Sequence, residues 1–322
     1  MAGIGDWLSG GARDGFEATI KRFAEDSWGF MKDAFESSNL SDAWWAGVVG
    51  AGDDPGMLRV MTVVMAPVLL ILVAVQVVTG VVQSRSDKIL RGAAMSVFAV
   101  PMMMVLVTLI MAAASATDGV TTFILEANGE TQNMSGFMKL FGFELNEEGE
   151  FQQVNSEYNI WRGVGDNASG FELIVPAALS GLVWLASMFL SFMLSLRTMM
   201  LVILVAVAAV AVFALALDAT KAWFVRWMTI VVGLLIAKPL AAVVLVMGIS
   251  VFNYAATTQQ FIAALVCVVV AALMPIAAIG VFGFSAVAAS SSSERIMAGG
   301  AAGVTRSGGR AMSGVTRMIR RR

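Results

Sequence analysis

Lys238-Pro239 interrupts an otherwise apolar run from Met228 to Phe252. An ammonium group avoids hydrocarbon unless it is paired or reaches the interface, and proline removes a backbone donor and clashes with the turn before it. Together these two residues could break a membrane helix and hold a cation beside an ion or substrate pathway. A lysine that snorkels, or that pairs with a neighbouring helix or subunit, accounts for them equally well. Asp218, Lys221 and Arg226 form a charge cluster near Lys238 in sequence. The candidate pore or gating residues are therefore Lys238, Pro239, Asp218, Lys221 and Arg226.

Other chemistry is poorly supplied. Histidine is absent, which removes the usual general base and the commonest zinc or haem ligand. The single cysteine, Cys267, lies in an apolar run and cannot build a disulfide framework or a four-thiolate metal site. The 22 methionines, with Met102-Met103-Met104 prominent, could handle copper through thioethers, but adaptable packing surface explains them better. No phosphate-binding glycine loop, nucleophile elbow or paired-carboxylate site is visible. Glu144, Glu147, Glu148 and Glu150 form a charge run of the kind that solvates a loop. Gln76, one amide among valines, is accounted for by an interhelical hydrogen bond. The expectation is a protein that is not an enzyme, with no catalytic, cofactor-binding or metal residues.

The elements that must position these residues follow from composition. Of 322 residues, 58% are hydrophobic and 14% charged, and the mean hydropathy is +0.80. Such a chain is solvated mostly by lipid. Residues 57–83 and 92–116 are apolar and long enough to cross about 30 Å of hydrocarbon. Arg85, Lys88 and Arg91 lie between them, the pattern of a short cytoplasmic connection. Glu172 to Leu196 and Thr198 to Leu217 read as two further spans joined by a tight hairpin at Arg197. The runs 228–252 and 261–288 complete the set, with Pro275 inside the last. Asp218, Lys221, Trp223, Arg226 and Trp227 fall between spans as an interfacial cluster on the outer side.

The fold class is thus all-α, a polytopic helical membrane protein with about five to seven membrane segments, one of them broken at Lys238-Pro239. Residues 1–54 form an acidic amphipathic N-terminal region, without the basic start and short apolar core of a cleavable signal peptide. Phe16, Ile20, Phe23 and Ser27 there follow helical spacing, for a helix lying on the membrane or packing on a partner. Residues 55–116 form a transmembrane hairpin, 117–170 an acidic extracytoplasmic loop or cap, 171–289 a helical bundle, and 290–322 a basic cytoplasmic tail. The large apolar groups Phe137, Leu140, Phe141 and Phe143 favour a small folded cap. Arg320, Arg321 and Arg322 suit contact with anionic lipid, as do Arg85, Lys88 and Arg91 near the first hairpin.

Charge placement and span number conflict in this reading. Six simple spans starting outside would leave the arginine tail outside, against the positive-inside tendency. Dividing 222–252 into two short helices at Lys238-Pro239 restores an inside tail; a single kinked helix is the competing reading.

The order of parts carries a resemblance. A hairpin reads Leu58-Arg59 through Val75-Gln76 to Arg91-Gly92, with Phe98-Ala99-Val100-Pro101 in its second helix and Ala116-Thr117-Asp118 at its end. Leu196-Arg197-Thr198-Met199, Trp223, Arg226-Trp227, Ile236-Ala237-Lys238-Pro239 and a final proline-bearing helix follow. Over about 55–290 this resembles the actinobacterial TrbL-type conjugal transfer proteins, the polytopic inner-membrane component of type IV secretion systems. The resemblance implies a homo-oligomeric channel or scaffold in the bacterial inner membrane, with membrane lipids, other secretion-system subunits and secretion ATPases as partners. Transient contact with transferred DNA or protein is implied too, with Lys238 and Pro239 at a break in a pore-proximal helix. The tail here ends soon after the last helix, unlike longer-tailed patterns. A free-standing secondary transporter or ion channel is the alternative, with the Lys238 break as its binding site. An intramembrane hydrolase is more remote, for want of a base.

Overall fold

The computed structural model describes residues 4–51, 54–84, 86–127, 129–139, 141–145, 151–154, 174–253, 262–263 and 265–280. Among these the chain is almost wholly helical. Helix α1 (Ile4–Ser37) leads through a short loop to α2 (Asp42–Val49). The strands β1 (Gly50–Ala51) and β2 (Asp54–Pro55) then form a tight antiparallel turn. Gly50, with φ of 102°, takes a conformation that side chains disfavour. Helices α3 (Met57–Val82), α4 (Ser86–Glu126) and α5 (Glu130–Lys139) follow, then a hairpin of β3 (Phe143–Leu145) and β4 (Phe151–Val154). The rest comprises α6 (Ile174–Ala206), α7 (Ala208–Phe213) with a 3-10 turn (Ala214–Ala216), and α8 (Lys221–Asn253). A shorter apolar helix, α9 (Leu265–Gly280), is last.

Among the described residues four helices are long and apolar enough to cross a membrane: Met57–Val82, Gly92–Glu126, Ala177–Ala206 and Lys221–Val251. In hydrocarbon a helix satisfies its own backbone groups, which is why runs rich in β-branched valine are helical here. The all-α polytopic reading holds, and three of its details are corrected. The expected hairpin at Arg197 is absent, because α6 runs through that residue without interruption. Arg197 is buried against α8 rather than serving as a loop cation. The expected break at Lys238-Pro239 is absent too: α8 is one helix with Pro239 inside it. Finally α4 does not stop at Ala116. The apolar stretch Val120–Leu125 carries it on to Glu126, so Asp118 belongs to a membrane-length helix and not to the polar insertion.

Side-chain contacts fix the helix directions. Thr62 meets Met103 and Gly92 meets Val77, so α3 and α4 are antiparallel. Trp227 bonds to Leu204 and Arg197 to Leu234, so α6 and α8 are antiparallel as well. Gly233 lets the backbone of α9 approach, since a β-carbon there would lie 3.2 Å from Ile279 Cα. With Val268 and Ala271 packed in the same cluster as Leu245 and Ile249, α9 runs antiparallel to α8. Helices α3, α6 and α9 therefore run one way, and α4 and α8 the other.

Two hydrophobic clusters stack along these helices. One joins α2, α3, the first part of α4, the end of α6, α7 and the start of α8 around Met103, Val205 and Val231. The other joins α1, α5, the start of α6, the end of α8 and α9 around Ile20, Phe137, Leu190 and Leu245. The apolar stripe of α1 is buried on α6, with Phe23 and Phe30 both against the Trp184 ring. Lys21, Arg22, Glu25, Asp26 and Asp33 stay on its exposed face. Phe137, Phe141 and Phe143 are buried, so this part of the expected cap is folded onto the bundle.

Candidate functional site

The site forms where the two clusters meet. Helix α1 ends at Ser37, and the loop Ser38-Asn39-Leu40 turns into the space between α4, α6 and α8. The Lys238 side chain, 1% exposed, lies 2.8 Å from Asp118 Oδ1 across the α4–α8 contact. Its Nζ also donates to Asn39 Oδ1. The second carboxylate oxygen of Asp118 accepts from the Leu40 N–H at 3.3 Å. Thr198 Oγ1 on α6 donates to the Ser38 carbonyl at 2.9 Å. One loop of three residues is thus tied by side chains of three membrane-length helices. An ammonium left alone among apolar helices is costly, and the carboxylate and amide oxygens offset that cost.

Arg197 completes the site one turn away. A helical residue normally donates its N–H to the carbonyl four positions earlier, and Pro239 has none to give to Leu235. The Arg197 side chain crosses from α6 and supplies donors instead, Nε to the Leu234 carbonyl at 2.8 Å and Nη2 to the Leu235 carbonyl at 3.4 Å. This is how α8 tolerates an internal proline without breaking. Arg197 is fully buried, and its Nη1 has no hydrogen-bond partner among the described residues. Two cations, Arg197 and Lys238, share one anion, Asp118, so the buried group carries one net positive charge.

The sequence-predicted residues fare differently. Lys238 and Pro239 belong to this site. Asp218 does not: it pairs with Gln76, accepting from Nε2 at 3.3 Å and donating its own N–H to Oε1 at 3.3 Å. Gln76 thus bonds from α3 to the turn that precedes α8, where a bond between two helices is expected. Lys221 and Arg226 are exposed on the first turns of α8, with Lys221 about 25 Å along the helix from Lys238. Gln76 is also within two turns of the C-terminal end of α3, so Asp218 sits at the end of the bundle where the connection from α3 to α4 begins at Gln83-Ser84. The cluster is expected on the outer side and that connection on the cytoplasmic side; the two share one end, so the two expectations do not hold together. Lys88 and Arg91 fall in the first turns of α4. Arg85, the acids at 147, 148 and 150, and Arg320, Arg321 and Arg322 lie outside the described residues.

Three members were missed from sequence: Asp118, Arg197 and Asn39. For the first two a signal existed, since each is a lone charge inside an apolar run once the run is followed past it. Asn39, in a polar stretch, carried none. Among the described residues no group of three or more His, Cys, Asp or Glu side chains could hold a metal ion.

Fold and site define an all-α polytopic membrane protein with an ion pair buried where two helical layers join. No family model, no curated protein and no solved structure matches the chain.

Proposed function

We propose that this chain is a channel or scaffold subunit of a conjugative type IV secretion system in the bacterial inner membrane. It would help move DNA and attached protein across the envelope as a homo-oligomer, alongside secretion ATPases and other subunits. The reading starts from the resemblance carried by Arg91-Gly92, Leu196-Arg197-Thr198-Met199 and Ile236-Ala237-Lys238-Pro239. The observation that carries it is that two of these motifs meet: Arg197 of one caps the carbonyl freed by Pro239 of the other, beside the Lys238–Asp118 pair. Buried polar groups at that depth would be lost from a plain anchor, and they fit a subunit whose helices must shift or hold against one another.

Helix directions support one topology for this reading. With the shorter α9 counted as a fifth crossing, the acidic N-terminal region and the polar insertion after Glu126 would lie on one side and the arginine tail on the other, in keeping with positive-inside orientation. An odd number of crossings then follows from α6 being one helix and does not need α8 to be two. Cysteines at Ser86 and Gly308 should be shielded from an impermeant thiol reagent in intact cells, while one at Gly149 is labelled. Labelling at 308 would contradict this topology.

The decisive measurement is conjugative transfer. Lys238→Ala should insert normally and lower transfer at least about tenfold; unchanged transfer with normal insertion assigns the pair to packing alone. The same pair would suit a free-standing transporter or ion channel. In that case a solute or ion flux, and not DNA transfer, would fall in the same variant.

A further inference from the structure

Beside the ion pair, on the α1 side, a cavity of about 200 Å³ opens between α1, α4, α5 and α8. We propose that it binds a small amphiphilic cation, an ammonium group carried on an aromatic or aliphatic body.

The cavity has the chemistry of such a ligand arranged in depth. Its apolar lining comes from Phe35 on α1 and Leu245 on α8, with Trp28 beside them. The Trp28 ring is held in place by Phe137 of α5, 5.7 Å away between centroids. Asn133 Nδ2 of α5 donates to the Leu125 carbonyl at the end of α4 at 2.6 Å, closing one end. A dry cavity of about 150 Å³ suffices for benzene, so there is room for an aromatic ring with a short chain. The rim is polar and exposed, with Glu36 from α1 and Glu126 from α4 against one ammonium, Lys32. An anion would meet two carboxylates there, whereas a cation would gain both of them and the face of Trp28. A metal ion would find only two carboxylates and a mostly apolar interior.

Occupancy would be felt at the site described above. Asn39 lines this cavity and accepts from Lys238, so a bound molecule would press on the loop that α4, α6 and α8 hold together.

Three probes with one body and different charge test the assignment: phenethylammonium, 2-phenylethanol and 3-phenylpropionate, followed by ligand-observed NMR on the full chain in zwitterionic lipid nanodiscs. The cation should bind about tenfold more tightly than the alcohol, with the carboxylate weaker still. In Glu36→Gln/Glu126→Gln, whose exposed side chains leave the core intact, the preference for the cation should shrink to the few-fold that the Trp28 ring alone supplies. Trp28→Leu should weaken the cation more than the alcohol. The assignment fails if the three probes bind alike to the unaltered protein, if none binds at millimolar concentration, or if the double variant keeps the full preference for the cation.

Discussion

Helices α3 and α8 have the same mean hydropathy, 2.6 over their best membrane-length window, and each carries one internal proline. Yet 11% of the α3 window is buried against 50% of the α8 window. Their prolines differ accordingly. Pro67 is exposed on the outside of the bundle, and no side-chain donor meets the Val63 carbonyl it frees among the described residues. Pro239 sits at the junction of the two clusters, and Arg197 replaces the missing donor. Hydropathy tells which helices prefer lipid to water. The polar groups that can find partners decide which helix goes to the centre.

That contrast can be broken in order of expected effect. Asp118→Ala should be the most damaging substitution, costing about 3–5 kcal/mol, because it leaves two buried cations with no anion. Lys238→Ala should cost less, since Asp118 then retains Arg197 as a nearby countercharge. Unfolding in mixed micelles should rank them in that order, and the reverse order would mean that the excess positive charge is neutralised by something else. Arg197→Met should cost about 1.5–3 kcal/mol, the scale of a charge-assisted hydrogen bond to a buried carbonyl. Its sharper test is a double-mutant cycle with Pro239→Ala. The alanine gives Leu235 its N–H partner back, so the two changes together should cost clearly less than their sum. Additive losses would show that the guanidinium is not standing in for the proline's donor.

Smaller effects belong to the periphery. Gln76→Leu removes both bonds between α3 and the turn at Asp218 and should cost about 0.6–2 kcal/mol. Pro67→Ala should change stability by less than about 1 kcal/mol and in the stabilising direction, since lipid-facing backbone gains a hydrogen bond and loses no partner. A Pro67→Ala loss as large as that of Arg197→Met would erase the distinction between the two helices.

Much of the architecture was legible from single residues. Met57 to Gln83 is apolar almost without exception, and α3 ends within a residue of that run. The spacing of Phe16, Ile20, Phe23 and Ser27 marked the face of α1 that is turned inward. A lone charge need not end a span. Arg197 reads as a hairpin and Asp118 as the start of a solvated loop, although each has apolar residues on both sides. A charge inside a helix and a charge at its end look alike until the partner is known, and the partners here are 37 and 120 positions away in sequence.

The sequence by itself determined that this chain would be helical and lie in a membrane, because long uncharged stretches have no better solvent than hydrocarbon and no better way to satisfy their backbone within it. Only the tertiary structure decided that Lys238 would meet Asp118, that Arg197 would mend the helix at Pro239, and that the loop at Asn39 would reach the ion pair. Such pairings depend on which helices lie side by side, and hydrophobic burial, being without direction, fixes that no more closely than shape and the few polar groups allow.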